Sequence, residues 1–470
     1  MNKKKKVKTS PIVKYLITSM IILSIVTIGL IKFIDILPSK YFGVLIGIFV
    51  IVDFALCALL LSSKIIVRIF GGLLSTCCIF ILITAIIYEI NTIDFLKKIG
   101  KNEYSTLNFH VMVLKDSDMN SLKDVKGKKI ALVDEYSEDV IRALSKETNF
   151  TYEKCLLYTD LSDKLLSKQV SIIVIEDSAM RILEDENSSF INSAKSIHDF
   201  TIDIKQKEIK HSVNITKKPF NVFISGIDTY GNINSVSRSD VNIIASINPK
   251  DHKIILTSIP RDYFVKLNGK NEYDKLTHAG IYGIDSSVKT IEDFLSIKIN
   301  YYIKVNFTSL VKVVDTLNGI EVDSKFDFVS QDGYRFKKGI NKMNGKEALS
   351  FSRERKALPK GDKSRGENHQ AVLTAIINKF MSKSVLTKYN SLIKSLKPSM
   401  VTNFTNSEIT NFIRMQLDKN IKWSIEYINL DGTDGYEYTY SYSKNKLYVM
   451  IPDEESVSEA SRKINEIFKK

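Results

Sequence analysis

Three long apolar stretches, 15–34, 41–61 and 69–90, open the chain, and each approaches the roughly 20 residues needed to cross a bilayer. A cleaved secretory leader would be one shorter stretch followed by small residues, so three in succession predict permanent transmembrane helices over 12–92 behind a cytoplasmic tail of 1–11. The pattern then changes to short apolar runs alternating with amphipathic segments. Strands are expected at 110–114, 129–133 and 170–175 and helices at 138–148 and 161–167, a βαβ-like order that implies a small α/β accessory domain over 102–200. A polar, lysine-rich connector, 201–218, precedes strand patterns at 221–227, 241–247, 253–259 and 302–305. With amphipathic helices at 308–317 and 370–381, these make a layered α/β domain, core 219–385, its central sheet covered by helices. The remainder, 386–470, adds an aromatic strand pair at 436–442 and 446–451 and a helix at 456–468. The fold class is therefore α/β throughout the part that follows the three spans.

Charge sets the orientation. Lys3, Lys4, Lys5, Lys6 and Lys8 precede the first span and Lys64 and Arg68 lie between the second and third, whereas Lys40 alone lies between the first and second. Basic flanks stay inside, which puts the amino terminus in the cytoplasm and everything after about Asn91 outside the cell membrane; Lys97, Lys98 and Lys101 oppose this mildly. A formal charge of +14 is compatible with nucleic acid, but an extracytoplasmic basic surface meets anionic lipid headgroups and wall polymers instead. Of four cysteines, Cys57, Cys77 and Cys78 fall inside the spans, so no disulfide framework or cysteine-based zinc site can be assembled with Cys155. Such cysteine-poor export fits a Gram-positive type of envelope. Asp53, mid-span, is expected to be protonated or hydrogen-bonded to Ser75 or Thr76 of a neighbouring helix.

Arginine is scarce, eleven residues in a lysine-rich chain, and five of them sit in short polar clusters: Arg238, Arg261, Arg353, Arg355 and Arg365. A planar, bidentate fork matches phosphate or carboxylate oxygens, and pyrophosphate suits five of them. Asp240, Asp262 and Asp362 stand in three of these clusters and Asp228 follows the strand ending at Ile227. Such carboxylates either orient guanidinium groups or hold Mg²⁺ (or Mn²⁺) together with phosphate oxygens. Strand ends are where open α/β sheets place ligands. There is no phosphate-binding Gly-rich loop with Lys-Ser/Thr, no Gly-x-Ser-x-Gly elbow and no His-x-x-x-His spacing. His369, the one histidine inside a cluster, is either a substrate contact or a helix-entry residue.

Taken in order, Asn221-Val-Phe-Ile-Ser-Gly-Ile-Asp228, Arg238-Ser-Asp240, Ser258-Ile-Pro-Arg261-Asp262, Asp274-Lys275-Leu-Thr-His-Ala-Gly280, Arg353-Glu-Arg355 and Gly361-Asp362-Lys-Ser-Arg365-Gly-Glu-Asn-His-Gln370 resemble the catalytic domain of the LytR-CpsA-Psr (LCP) family. The three spans plus accessory domain resemble its capsule-associated branch. The resemblance implies enzymes that attach wall teichoic acids, capsules and related glycopolymers to peptidoglycan from a polyprenyl pyrophosphate carrier, with an apolar tunnel for the prenyl chain. It assigns the pyrophosphate to Arg238, Arg261, Lys275, Arg353, Arg355, Arg365, His369 and Gln370. It assigns the metal to Asp228 and Asp240. Many members carry Arg-x-x-Arg-Gln where this chain has Arg365-Gly-Glu-Asn368-His369-Gln370, so a second arginine is missing and His369 takes the place often held by glutamine. Separately, 121–131 looks like the strand-entry segment of periplasmic solute-binding proteins, with a spacer domain as the preferred reading.

The expected reaction is attack by an acceptor sugar hydroxyl on the phosphorus bearing the glycan, with polyprenyl phosphate leaving, a transfer that depends on positioning and charge neutralisation. Arg261, Asp262, Arg353, Arg355 and Asp362 are the candidate catalytic residues. Asp262 or Asp362 serves either as general base or as an orienting partner for arginine, the latter preferred. The expected partners are the lipid-linked glycan, the peptidoglycan acceptor and the membrane, without nucleic acid. A hydrolase using water in place of the sugar would need the same residues, and a membrane-bound transcriptional attenuator would need a cytoplasmic module larger than the few residues before the first span.

Overall fold

The computed structural model describes residues 10–98, 104–186, 188–205, 209, 213–227, 229, 232–381 and 400–469. Helices α1 (Pro11–Ile34), α2 (Ser39–Leu60) and α3 (Ile65–Lys98) carry the apolar stretches, with mean hydropathy of 2.3, 2.7 and 2.4 in their most apolar windows. All three are long and apolar enough to span a bilayer. Most of their large side chains face outward, and Met20, Leu56 and Leu82 pack between the helices. Asp53 finds its partner in α1, where the Ser24 hydroxyl donates to its carboxylate at 3.2 Å. Thr76, one of the two partners expected from sequence, instead donates to Gly72 of its own helix.

The accessory unit contains β1 (Tyr104–Leu114), β2 (Lys129–Val133), α4 (Ser137–Leu144), β3 (Thr151–Cys155), α5 (Tyr158–Leu166), β4 (Ile172–Glu176), α6 (Asp177–Glu186), α7 (Ser188–Ser193) and β5 (Ala194–Lys205). Its sheet runs β3-β2-β4-β1-β5, parallel across β3, β2 and β4 and antiparallel from β4 through β1 to β5. Helix α4 stops four residues before the expected 148, because the next turn, Ser145 to Thr148, offers no apolar side chain to hold it on the sheet. Strand β5 runs to Lys205, past the boundary expected at 200, because it pairs with the whole length of β1.

The second α/β unit follows with β6 (Phe220–Ile227), β7 (Ser239–Asn248), β8 (Lys253–Ile259), β9 (Phe264–Lys266), β10 (Tyr273–Lys275), α8 (Ile284–Leu295), β11 (Tyr301–Asn306), α9 (Phe307–Thr316), β12 (Ile320–Ser324), β13 (Phe328–Val329), β14 (Arg335–Phe336), β15 (Gly339–Met343), α10 (Gly345–Arg353), α11 (Asp362–Phe380), β16 (Met400–Thr402), α12 (Asn406–Lys419), β17 (Ser424–Asn429), β18 (Gly432–Thr439), β19 (Tyr442–Pro452) and α13 (Glu454–Glu466). A six-stranded sheet, β16-β11-β6-β7-β8-β17, lies at its centre. Both faces are covered, which is why β6 to β8 read as nearly continuous apolar runs. Phe223, Ile244 and Tyr302 face α8 and α13 through Val288, Ile291 and Ile464. Val222, Ile243 and Leu256 face α11 and α12 through Leu373, Ile377 and Phe412. A third core, under α9, α10 and α11, is closed by the short strands β12 to β15.

The accessory unit shares a core with the tail of the chain: Tyr442 and Leu447 of β19 pack with Tyr158, Leu161 and Leu165 of α5. Backbone bonds add to this, from Thr106 to Asn234 at 3.1 Å and from Val236 to Thr106 at 3.2 Å. The tail is thus built into both units. At the other end, Arg414 of α12 is paired with Asp35, and Lys40 with Asp418 at 2.8 Å, so α12 sits on the loop between α1 and α2.

Leu447 is 3% exposed, and truncation there empties a core shared by two units. Leu447→Ala should lower the stability of the detergent-solubilised chain by about 2–5 kcal/mol, read by urea unfolding with the single Trp423 as fluorophore.

Candidate functional site

The cleft lies where β7 begins and β8 and β17 end. Asp240 opens β7, Arg261 and Asp262 follow β8, Asn429 closes β17, and the amino-terminal turns of α11 bring Asp362, Arg365 and His369 over them. Helix α11 begins at Asp362, two turns before the start expected at 370. Asp362, Arg365 and His369, spaced three and four apart, therefore share one helical face turned to the cleft.

Asp240 is the centre of the charge arrangement. Its Oδ2 accepts from Arg261 Nη1 at 2.9 Å and its Oδ1 from the Thr277 hydroxyl at 3.0 Å. Burial pushes the carboxyl pKa up, but Arg261, Arg238 and Arg365, together with the Thr277 bond, outweigh burial and leave it below the usual carboxylate range. Burial likewise pulls the Arg261 guanidinium down, and Asp240, Asp262 and Asp362 more than restore it. Arg365 keeps a net downward shift, set first by burial and opposed by Asp362, to which it is hydrogen-bonded. Lys275 lies 3.6 Å from Asp262 and Arg261 Nε 3.5 Å from it, contacts looser than hydrogen bonds. Two buried polar atoms at this cleft, Arg261 Nε and Asn429 Oδ1, find no hydrogen-bond partner among the described residues. A buried guanidinium N–H beside the cleft, with no closer acceptor than Asp262 at 3.5 Å, has capacity left for an anionic oxygen from outside the protein.

Behind this wall a second polar group fixes the geometry. Asp274, wholly buried, accepts from the Lys275 N–H at 2.7 Å, the Ser441 N–H at 2.8 Å and His278 Nδ1 at 2.7 Å. The Ser441 hydroxyl also lies 2.7 Å from that nitrogen. Lys275 and Thr277, which touch Asp262 and Asp240, are thereby held from behind by the turn between β18 and β19. Gly280 closes the same segment: a Cβ there would stand 2.6 Å from the Ser237 carbonyl and 2.7 Å from the Ser239 nitrogen, against the backbone that carries Arg238.

The structure brings Asp240, Arg261, Asp262, Lys275, Asp362, Arg365 and His369 together. Arg238 contributes to the charge around Asp240. Arg353 ends α10, exposed and outside the lining of the cleft, its guanidinium 4.7 Å from the centre of the Phe307 ring. Between Arg353 and Arg355, Glu354 is buried and accepts from the backbone of Gln331, Arg355 and Ala357, which fixes the loop that presents the two arginines. Gln370 departs from expectation. Its amide donates at 2.9 Å to the carbonyls of both Leu256 and Ile428, bridging β8 to β17 inside the sheet and away from the cleft. Asn368 is similarly spent on the Phe351 carbonyl. Asp228 lies outside the described residues. Two lone polar residues that no sequence motif marked, Asn429 and Ser441, complete the wall together with Thr277 of the 274–280 motif.

Oxygen donors of this kind suit a hard divalent cation. Asp240 is an ionised carboxylate whose two oxygens each accept only one described hydrogen bond, and Mg²⁺ is commonly held by one or two carboxylates together with substrate phosphates.

The LytR_cpsA_psr family model matches residues 147–466. The chain belongs to this family. Among its LytR_cpsA_psr relatives, the polyisoprenyl-teichoic acid–peptidoglycan teichoic acid transferase TagU of Bacillus subtilis (strain 168) is 36% identical over 282 residues, 59% of this chain and 87% of that one. TagU of Enterococcus faecalis (strain ATCC 700802 / V583) is 34% identical over 251 residues, 52% of this chain and 81% of that one. The crystal structure of B. subtilis TagU matches at 35% identity and a TM-score of 0.43, covering 54% of this chain and 98% of that one. A structure of TagT bound to LIIa-WTA matches at 30% identity and a TM-score of 0.45, covering 56% and 94%.

His369 gives the cleft a pH signature. Burial, reinforced by Arg365 and opposed by a hydrogen bond to the Ser352 backbone, pulls its pKa from 6.5 down to about 3. Because the folded value is the lower one, the unfolded chain binds the proton more readily between these limits. The contribution to stability is complete above pH 6.5 and is lost as pH falls toward 3. His369→Gln should remove it: on acidification from pH 7 to pH 5 the parent should lose more stability than the variant, by up to about 1.4 kcal/mol per unit below 6.5, as measured by urea unfolding at each pH.

Proposed function

We propose that this chain is a phosphotransferase of the bacterial envelope that moves a glycopolymer, such as a teichoic acid or capsule, from a polyprenyl pyrophosphate carrier to peptidoglycan. The observation that carries the reading is the unsatisfied Nε–H of Arg261, buried in a cleft where Arg261, Arg365 and Lys275 are arranged around Asp240, Asp262 and Asp362. The relatives named for transfer of teichoic acid from a polyisoprenyl carrier to peptidoglycan support the same class of donor and acceptor.

In this reading the pyrophosphate enters between Arg261 and Arg365, with Arg238 behind Asp240 and with Arg353 and Arg355 at the rim toward the glycan. The acceptor hydroxyl attacks the phosphorus that bears the glycan. Its new P–O bond forms as the bond to polyprenyl phosphate breaks, the departing oxygen keeps the electron pair, and the hydroxyl proton passes to a base. Asp362 is committed to Arg365 by a hydrogen bond, whereas Asp262 has only loose contacts with Lys275 and Arg261, so Asp262 is the carboxylate better placed to take the proton. Charge neutralisation by preorganised guanidinium groups stabilises the oxygens in the transition state. A magnesium ion bound by Asp240, with Asp228 as the partner the family motif supplies, would neutralise further phosphate charge. His369, kept neutral, adds no competing cation and buttresses α11 on the Ser352 carbonyl.

The carrier's tail has an apolar path. On the sheet face toward α11, Leu373, Ile377, Phe404, Phe412 and Trp423 are only partly buried. That face leads from the cleft toward α12, which sits on the loop between α1 and α2. Val372 and Ala375 of α11 belong instead to the third core, so only one side of the helix is available to a lipid. With the amino terminus inside, as the basic flanks favour, the α1–α2 loop and the α12 bound to it lie outside the cell.

Arg261→Ala should reduce transfer from a polyprenyl pyrophosphate-linked glycan to peptidoglycan by about 100-fold or more, in line with removal of a preorganised anion-stabilising group. Arg365→Ala should act similarly, and chelation of divalent cations should depress the parent enzyme. Undiminished transfer by folded Arg261→Ala protein would exclude the reading.

A further inference from the structure

The aromatic strand pair has one face on which Tyr436 and Tyr438 stay exposed, while Met450 at its end packs on the core under α8 and α13. Strands β18 and β19 set Tyr436 opposite Tyr448 and Asp434 opposite Met450. Leu447 and Val449 point to the other side, where they are 3% and 0% exposed. Tyr436 is 64% exposed and Tyr438 56% exposed. The Tyr436 and Tyr448 rings meet edge to face with centroids 6.0 Å apart, and the Tyr448 hydroxyl donates to Asp434 at 2.8 Å. These rings are thus held in fixed orientation by strand register and ring contact, with aromatic surface in water.

The row begins at the cleft. Met450, on the same face two residues beyond Tyr448, donates its backbone N–H to the Asp262 carbonyl at 2.7 Å. From there Tyr448 and its cross-strand partner Tyr436 lead outward, followed by Tyr438, which lies in the register shift between Glu437 and Thr439 with the Lys446 ammonium 5.8 Å from the centre of its ring. The charges on the hairpin do not suit a phosphate polymer, since Lys444 and Lys446 are already paired with Asp163 and Glu437, and Asp434 adds an anion. Its place does not suit a bilayer. Strand β17 starts just beyond α12, the helix held to the α1–α2 loop, and ends at Asn429 in the cleft, so the hairpin follows from the end remote from the spans.

We propose that the tyrosine face of β18 and β19 is the docking platform for the acceptor glycan, a phosphate-free chain of amino sugars whose C–H faces stack on Tyr436 and Tyr438. This rests on the transferase reading above. Flat, rigid aromatic rings offer contact area to sugar rings at little conformational cost, and the row delivers an acceptor hydroxyl past Tyr448 to phosphorus beside Asp262. Donor and acceptor then occupy separate surfaces, cationic for the pyrophosphate and aromatic for the sugar.

The test uses the full chain in nanodiscs, with a β-1,4-linked N-acetylglucosamine oligosaccharide as acceptor-side probe and inorganic pyrophosphate as donor-side probe. The double variant Tyr436→Ala, Tyr438→Ala should weaken oligosaccharide binding, and raise the apparent KM for peptidoglycan, by about tenfold while leaving kcat and pyrophosphate binding unchanged. The corresponding pair of Phe substitutions should keep oligosaccharide affinity, because stacking needs the ring and not the hydroxyl. Should the double variant lose its fold, Tyr438→Ala alone is expected to weaken binding about threefold. Unchanged oligosaccharide affinity in the folded Ala variants, or labelling of the hairpin by a photoactivatable lipid, would overturn the platform. Arg261→Ala separates the two ideas: if it transfers normally, the transferase reading fails, and if it is inactive while the tyrosine variants bind and use acceptor normally, only the platform fails.

Discussion

A buried carboxylate among guanidinium groups is the constraint on which the rest of this molecule depends. Asp240 could not remain ionised inside the protein without Arg261, Arg238 and Arg365 close by, and those cations could not be gathered without it. These groups come from three parts of the chain: the start of β7, which brings both Arg238 and Asp240, the end of β8 and the first turns of α11. The six-stranded sheet and the helices on its two faces hold those three points in register. Balance at the centre leaves residual capacity at the edge, in the Arg261 Nε–H and the Asn429 carbonyl oxygen, where a bound anion and its partner groups can complete the hydrogen bonding.

The parts of this arrangement that were legible in the sequence were those with two independent signals. Strands β6, β7, β8 and β11 are buried on both faces, so their apolar runs show them directly, and the arginine clusters stand out against a lysine-rich background. Helix α11 was placed too late because Asp362 to Gln370 is polar, and amphipathic reading assigns polar residues to solvent. Here they face a cleft and a sheet instead. The late start also misplaced Gln370. Once the helix begins at Asp362, Gln370 lies about 100° around the axis from His369, which takes it from the anion site to the strand carbonyls of Leu256 and Ile428.

Other elements left no local trace. Asn429 and Ser441 are single polar residues in ordinary contexts, and only tertiary structure sets them beside the motif residues. The accessory unit was readable as α/β, yet its attachment was not, because Tyr442 and Leu447 lie far along the chain from the α5 residues they pack against. What reads as a spacer followed by an enzyme is one packed body, in which the final hairpin holds Ser441 behind Lys275 and Met450 against Asp262.

The contact between α12 and the loop joining the first two spans sets a length scale. From the end of α12 the chain enters β17, whose six residues cover about 20 Å before reaching the cleft. The cleft at Asp240 is therefore set about one strand length along the chain from the helix that holds the loop between the first two spans. On the proposed transferase reading, a donor lipid has to reach across that distance, which a long isoprenoid does while its far end stays among acyl chains. In that reading the length of one strand acts as a gauge of carrier length, admitting polyprenyl donors and leaving shorter or soluble pyrophosphates without an anchor.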